Sequence, residues 1–130
     1  MTINTYTLDF KTQGGAQMID ITAHVAETVT KSGLVAGIVT LFVPGSTAAL
    51  TTIEYEDGAV ADFKRLFDEL AAPNREYAHN LRWGDGNGHS HVRAALLGPS
   101  LTVPFVESRL TLGTWQQIIL VDFDNRARSR

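Results

Sequence analysis

Polar and apolar positions alternate from Thr5 to Thr12, with Tyr6, Leu8 and Phe10 set against Thr5, Thr7, Asp9 and Lys11. That period of two predicts a half-buried strand. After a turn at Gly14-Gly15 the period lengthens. Ile21, Val25 and Val29 recur at helical spacing, with Asp20 as the expected N-cap and Gly33 as the stop. Leu34 to Val43, rich in Val, Ile and Phe and closed by Pro44-Gly45, predicts a buried strand. Ala48 to Tyr55 predicts another, with Leu50 and Ile53 inside a threonine-rich frame. Val60, Phe63, Leu66, Phe67 and Leu70 form one helical stripe opposite Asp62, Lys64, Arg65, Asp68 and Glu69, and Pro73-Asn74 ends it. From Arg75 to Ser90 the pattern dissolves into polar residues. A short helix is expected over Val92–Leu97, opening near Ser90 and stopped by Gly98-Pro99. Strands follow at Leu101–Val106, Arg109–Leu112 and Gln116–Phe123. The late strands succeed one another directly, which favours antiparallel pairing. The expected fold is α+β: a mostly antiparallel sheet with two main helices and one short one, in a single domain over residues 1–130.

Composition narrows the chemistry. The 130 residues are 44% hydrophobic, enough for a core. There is no cysteine, which removes thiolate metal sites, iron–sulfur clusters and thiol nucleophiles. No apolar run approaches the roughly 20 residues of a membrane span, and Met1 to Phe10 has no signal-peptide core; the cytoplasm is the expected location. The net charge is −3, although Arg126, Arg128 and Arg130 lie in the last five residues, so the body is more acidic still. An acidic body argues against a nucleic-acid surface, and the basic tail is expected to fray into solvent.

Three of the four histidines, His79, His89 and His91, fall in the polar stretch. His-x-His in extended backbone points both rings the same way, whereas on a helix they would lie roughly 200° apart. Gly86 and Gly88 suit the extended reading. His79 then supplies a third nitrogen from across the loop, and three neutral imidazoles suit a divalent metal with one open position. Asp85 or Glu54 would be a fourth ligand, an orienting partner or a general base. The competing reading is a hydrogen-bonded surface loop whose histidines cap the helix at Ser90. Asp85-x-Asn87-x-His89 opens like a calcium loop, but Leu96 stands where its glutamate belongs, which excludes calcium. His91 near a helix N-terminus would be held neutral, and the same amides attract phosphate. His24, alone on a helix, reads as a surface residue.

Elsewhere, Ser46 and Thr47 follow Gly45 and are candidate phosphate contacts, although threonines in a strand read first as good strand formers. Arg109, between late strands, is a candidate phosphate clamp. Trp115 is expected in the core or against a neighbouring chain. Tyr77 and Trp83 flank the histidine stretch, either to stack on a flat ring or to brace the loop.

Taken together, His91-Val-Arg-Ala-Ala-Leu-Leu-Gly98, Ser100-Leu-Thr-Val-Pro104 and Gly113-Thr-Trp-Gln116 resemble the secondary thiamine-phosphate synthase, or YjbQ-like, family. Ser46-Thr-Ala-Ala-Leu-Thr51 with Glu54, Tyr77-x-His79 and Ser90-His91 match it in order. The resemblance implies an α+β fold, a homotrimer, and a metal-centred pocket near subunit interfaces. It also implies formation of thiamine phosphate from a pyrimidine methyl pyrophosphate and a thiazole phosphate. His79, His89 and His91 would hold Zn²⁺ or Mg²⁺, Glu54 or Asp85 would handle a proton or orient a ligand, and Arg109 with Ser46 and Thr47 would meet phosphate. Many relatives carry a histidine where this chain has Gly45, and His89 is expected to replace it. The expected partners are a small phosphorylated substrate and two further copies, with neither nucleic acid nor membrane. The competing functions are a non-catalytic metal- or ligand-binding trimer and a metal-assisted phosphohydrolase.

Overall fold

The computed structural model describes residues 1–130. In chain order its elements are β1 (Lys11–Thr12), β2 (Gln17–Asp20), α1 (Thr22–Ser32), β3 (Gly37–Phe42), β4 (Ala48–Ile53) and α2 (Asp57–Leu70). There follow α3 (Ala78–Trp83), α4 (Gly88–Leu97), β5 (Ser100–Val106), β6 (Arg109–Leu110), β7 (Gln117–Asp122) and β8 (Arg128–Ser129). Every strand pair is antiparallel, in three small sheets ordered β1-β8, β2-β7-β4 and β3-β5-β6. The fold is α+β, as the strand succession implies. No helix is long and apolar enough to cross a membrane.

β7 is the axis of the molecule because both its faces are apolar. Ile119, Val121 and Phe123 turn to one side with Met18, Ala49, Phe67 and Ala94. Ile118 and Leu120 turn to the other with Ile21, Val25, Leu50 and Val103. Helices α2 and α4 cover the first face. Helix α1 and the β3-β5-β6 sheet cover the second.

Several local expectations change on folding. The strand over Thr5–Thr12 shrinks to two residues, because only that end finds a partner in the chain. β1 pairs with β8, and Phe10 and Arg130 exchange backbone N–H···O bonds of 2.7 and 2.8 Å. The C-terminus is therefore a strand and not a frayed tail. The N-cap of α1 is Ile21 and not Asp20, which stands one residue before it and accepts at Oδ1 from the Thr22 N–H and hydroxyl. Helix α2 starts at Asp57 because the Glu56 carboxylate accepts from the N–H groups of Gly58 and Ala59. Its stripe is narrower than the spacing suggests, with Phe67 buried and Leu66 and Leu70 about half exposed. A helix, α3, forms inside the expected loop. Helix α4 runs ten residues from Gly88, so it is longer and starts earlier than the short helix expected near Ser90.

β3 is not a buried strand. Its inward residues Val39 and Leu41 pack on the core, while Ile38, Thr40 and Phe42 lie on the outer face opposite Pro104, Thr102 and Ser100 of β5. Ile38 is 68% exposed and Phe42 67%. A continuous apolar run normally marks a strand covered on both faces; here nothing in the chain covers the second one. Trp115 is likewise exposed, which excludes its core reading within the chain.

Candidate functional site

The polar residues gather where β7 ends. The chain bends at Asn125 and Arg126 between β7 and β8, and Arg128 and Arg130 come back beside Asp124 and Asp122, so two carboxylates meet two guanidiniums. The fully buried Asp122 accepts from Arg130 Nε at 2.8 Å, Arg130 Nη2 at 3.0 Å, Thr12 Oγ1 at 2.6 Å and the Asp124 N–H at 2.9 Å. Asp124 accepts from Thr47 Oγ1 at 2.8 Å and Arg128 Nε at 3.0 Å. Arg130 Nη2 also donates to Thr47 Oγ1 at 2.6 Å. Burial alone would push both carboxyls up, but the hydrogen bonds to Asp122 from Arg130 and Thr12, and to Asp124 from Thr47 and Arg128, outweigh it and hold both below the usual range. Thr47 thus lies in this cluster, while Ser46 beside it is exposed. Arg130 was missed in the sequence because an arginine-rich end reads as a solvated tail. The alternation of Asp122, Asp124, Arg128 and Arg130 was the available signal.

Helices α3 and α4 dock against the same end. The Ser90 hydroxyl donates to the Phe123 carbonyl, and the Asn125 N–H donates to Asn87 Oδ1 at 3.2 Å. Asn125 Nδ2 donates to the Asp85 carbonyl at 2.8 Å. Asn80 of α3 accepts the Gly88 N–H of α4 at 2.8 Å, tying the two helices.

The extended His-x-His arrangement is overturned, because Gly88 is helical and both histidines ride on α4. They face apart. His91 stacks on His79 with ring centroids 4.3 Å apart and planes at 38°. His79 Nδ1 lies 3.3 Å from Asp85 Oδ1, although it lacks an aligned hydrogen-bond partner. His89 points inward, 7% exposed, with Nε2 3.4 Å from Ser90 Oγ and its ring against Tyr77. Its Nδ1 is buried without a partner. His89 therefore does not face the Gly45 loop as the stand-in ligand that the resemblance implied. Nor do the histidines merely cap α4.

Of the remaining candidates, Asp85 sits at the pair of rings, where its Oδ1 also accepts the Asn87 N–H at 3.1 Å. Glu54 does not. In the β4–β7 ladder Ala48 is opposite Asp122 and Ile53 opposite Gln117. Glu54 therefore stands roughly 23 Å down the strand from Thr47 at about 3.3 Å per residue. There it lines an open groove of about 590 Å³ with Asp20, Tyr55 and Trp115. Arg109, on β6 in the other sheet, is exposed and donates to no side chain of the chain. Tyr77 is the brace of the two readings, donating its hydroxyl to the Ala72 carbonyl at 2.8 Å. Asp68 gains a partner the sequence did not suggest: the buried Arg93 donates to it at 2.9 Å. His24 is exposed and packs edge-on against Phe10.

No three His, Cys, Asp or Glu side chains of the chain form a metal-holding group. The donor set does not fit the divalent metal the resemblance implies.

Burial, followed by the nearby Arg93 cation, lowers the His89 pKa from its ordinary 6.5. Burial, followed by His79, does the same for His91. Both rings are therefore neutral near pH 7, and the unfolded chain takes up protons that the folded one resists. Their contribution to stability is complete above about pH 7 and is lost as the pH falls through 6.5 toward the depressed values. Thermal melts should show the melting temperature declining from pH 7.5 to 5, with His89→Gln flattening the decline. A level or rising profile over that window would contradict the assignment. The carboxylates act later, since their depressed pKa values confine their loss to below about pH 4.

The comparisons with known proteins agree with this architecture. The family model described as "UPF0047 protein YjbQ-like" matches residues 6–130. A UPF0047 protein of Methanothermobacter thermautotrophicus is 34% identical over 130 residues, covering 100% of this chain and 90% of that protein. YugU of Bacillus subtilis, also a UPF0047 protein, is 34% identical over 91% of this chain and 88% of its own. Among solved structures, a YbjQ-like protein of unknown function from Sulfolobus solfataricus superposes with a TM-score of 0.85 at 37% identity, over 95% and 91% of the two chains. A hypothetical protein of Aeropyrum pernix gives 0.84 at 34%, over 96% and 94%. With a family match over residues 6–130, relatives above 30% identity and the same fold in solved structures, this chain belongs to the UPF0047, or YjbQ-like, family.

Proposed function

We propose that this chain is an acid–base enzyme for a small phosphorylated heterocycle, with a transfer of the thiamine-phosphate-forming kind as its reaction. The observation that supports it most is the stacked His79–His91 pair with Asp85 beside His79, set next to the arginine-lined end of β7. Two imidazoles in contact, one of them neutral by burial, suit holding and passing a proton. In the reaction the bond between the pyrimidine methylene and pyrophosphate oxygen breaks, and its electron pair leaves with pyrophosphate. The thiazole nitrogen lone pair then forms the new carbon–nitrogen bond, and the product carries the positive charge. In this reading His79, beside Asp85, gives a proton to the departing oxygen and His91 passes His79 a replacement from solvent, the coupling itself releasing none. The working unit in this reading is a homotrimer, supported by the exposed apolar face of Ile38, Phe42 and Val106.

One experiment tests both parts. The purified chain, sized by light scattering, is supplied with the two precursors and Mg²⁺ as the pyrophosphate counter-ion. A trimer forming thiamine phosphate, with turnover reduced at least tenfold in His91→Ala, is the expected result. Pyrophosphate or phosphate release without coupling would instead favour hydrolysis. No turnover above the His91→Ala background sinks the enzyme reading and leaves a binding protein.

A further inference from the structure

The guanidinium of Arg130 is only partly used. Nε and Nη2 are spent on Asp122 and Thr47, while Nη1 donates to nothing in the chain. The side chain carrying it is 9% exposed. The free nitrogen lies over Gly45, where a Cβ would come within 2.9 Å of Nη1 and within 4 Å of nothing else. Gly45 holds φ at +110°, a conformation that a residue with a side chain adopts only under strain. Beyond it, the N–H groups of Gly45, Ser46 and Thr47 make no hydrogen bond within the chain, and neither does the exposed Ser46 hydroxyl. A buried cationic donor with a free edge thus sits against a run of free main-chain donors, next to an accessible hydroxyl.

We infer that Arg130 Nη1 and the Gly45–Thr47 loop form a seat for a phosphate oxyanion, the terminal phosphate of the substrate. The carboxylates next to it do not forbid an anion. Asp122 and Asp124 are matched in number by Arg128 and Arg130, and their oxygens face inward onto Thr12, Thr47 and the two arginines. The site is therefore close to neutral and acts through directed, charge-assisted donors, with no net field of its own. It also gives Gly45 a physical reason. A side chain at that position would stand where the ligand oxygen must approach Nη1, so the glycine opens the arginine edge. The phosphate role expected of Arg109 falls to Arg130.

The inference takes its ligand class from the proposed function, but its test does not require turnover. Inorganic phosphate, and separately inorganic pyrophosphate, would be titrated into the ¹⁵N-labelled full chain. Saturable shifts are expected at the Gly45 and Ser46 amides and the Arg130 guanidinium. Affinity should fall about tenfold in Gly45→Ala and several-fold in Ser46→Ala, the size of one or two lost donor contacts, and stay unchanged in Arg65→Met. Ser46 is exposed, so its variant reads binding even where Gly45→Ala perturbs the fold. Shifts confined to other residues, unaltered affinity in both loop variants, or no saturable shift at millimolar ligand would overturn the seat. Phosphate binding at these residues without turnover removes the proposed reaction and leaves the seat; turnover without such binding does the reverse.

Discussion

Replacing Arg130 with methionine should lower the unfolding free energy by about 3 kcal/mol, the usual scale for stripping one partner from a buried ion pair. In a domain of this size that corresponds to roughly 10 °C in melting temperature. The cause is the group left behind. Asp122 has no exposed surface and takes two of its hydrogen bonds from this one guanidinium. Without Arg130 its charge keeps only Thr12 and a backbone N–H. The backbone bonds between Phe10 and Arg130 survive the substitution, so the loss reports the side chain and not an unpaired strand. A double-mutant cycle makes the point sharper: Asp122→Asn should cost less in the Arg130→Met background than alone, because the stranded carboxylate is what is being relieved. The exposed Arg65–Asp62 pair is the contrast, and Arg65→Met should change stability by under about 1 kcal/mol. If Arg130→Met cost no more than that, the C-terminal cluster would be a surface network, and its role in positioning Thr47 would fall with it.

The elements legible in the sequence were those whose partners lie on both sides of a strong pattern. Gln116–Phe123 reads as a strand because every residue from Ile118 to Val121 is apolar, and β7 does carry core on both faces. Val25 and Val29 reveal α1 for the same reason. What failed was coverage. The run from Leu34 to Val43 has the composition of a buried strand, but its outward residues Ile38 and Phe42 have no layer above them within one chain, and a pattern of residue types carries no information on which layer is missing. Helix α3 was invisible because Ala78-His-Asn-Leu-Arg-Trp83 has no apolar stripe. Its one and a half turns exist by docking onto α4. The candidate site was legible as a region and not as an arrangement: Asp85, His79 and His91 do meet, whereas Glu54 and Arg109 are carried away by strands whose registers no local spacing encodes. Gly86 and Gly88 suggested a loop, and that led to His89 being paired with His91. The second glycine is instead the first residue of a helix, for a reason of packing.

That packing sets the last expectation: Gly88→Ala should lower stability and reduce turnover in the proposed reaction about a hundredfold. On propensity alone the change would help, since alanine in a helix is worth up to about 1 kcal/mol over glycine. The structure reverses the sign. A Cβ on Gly88 would stand 2.6 Å from Tyr77 Cβ, 2.9 Å from Tyr77 Cγ and 3.0 Å from Asn80 Oδ1. The first two are the root of a side chain at the N-terminus of α3, which cannot swing away as a flexible tip could. Helix α3 must back off from α4, at the roughly 1–3 kcal/mol typical of overpacking, and the Asn80–Gly88 hydrogen bond lengthens with it. His79 rides on α3 and His91 on α4, so the 4.3 Å stack is the distance that absorbs the shift. Displacement of catalytic groups by about 1 Å is enough for a loss of two orders of magnitude. Imidazole NMR separates this from simple unfolding: the mutual ring-current shifts of His79 and His91 should vanish while the core methyl signals of Ile119 and Val121 stay in place. Retention of those ring shifts together with full turnover would mean that the close approach at Gly88 is not what brings the two histidines together.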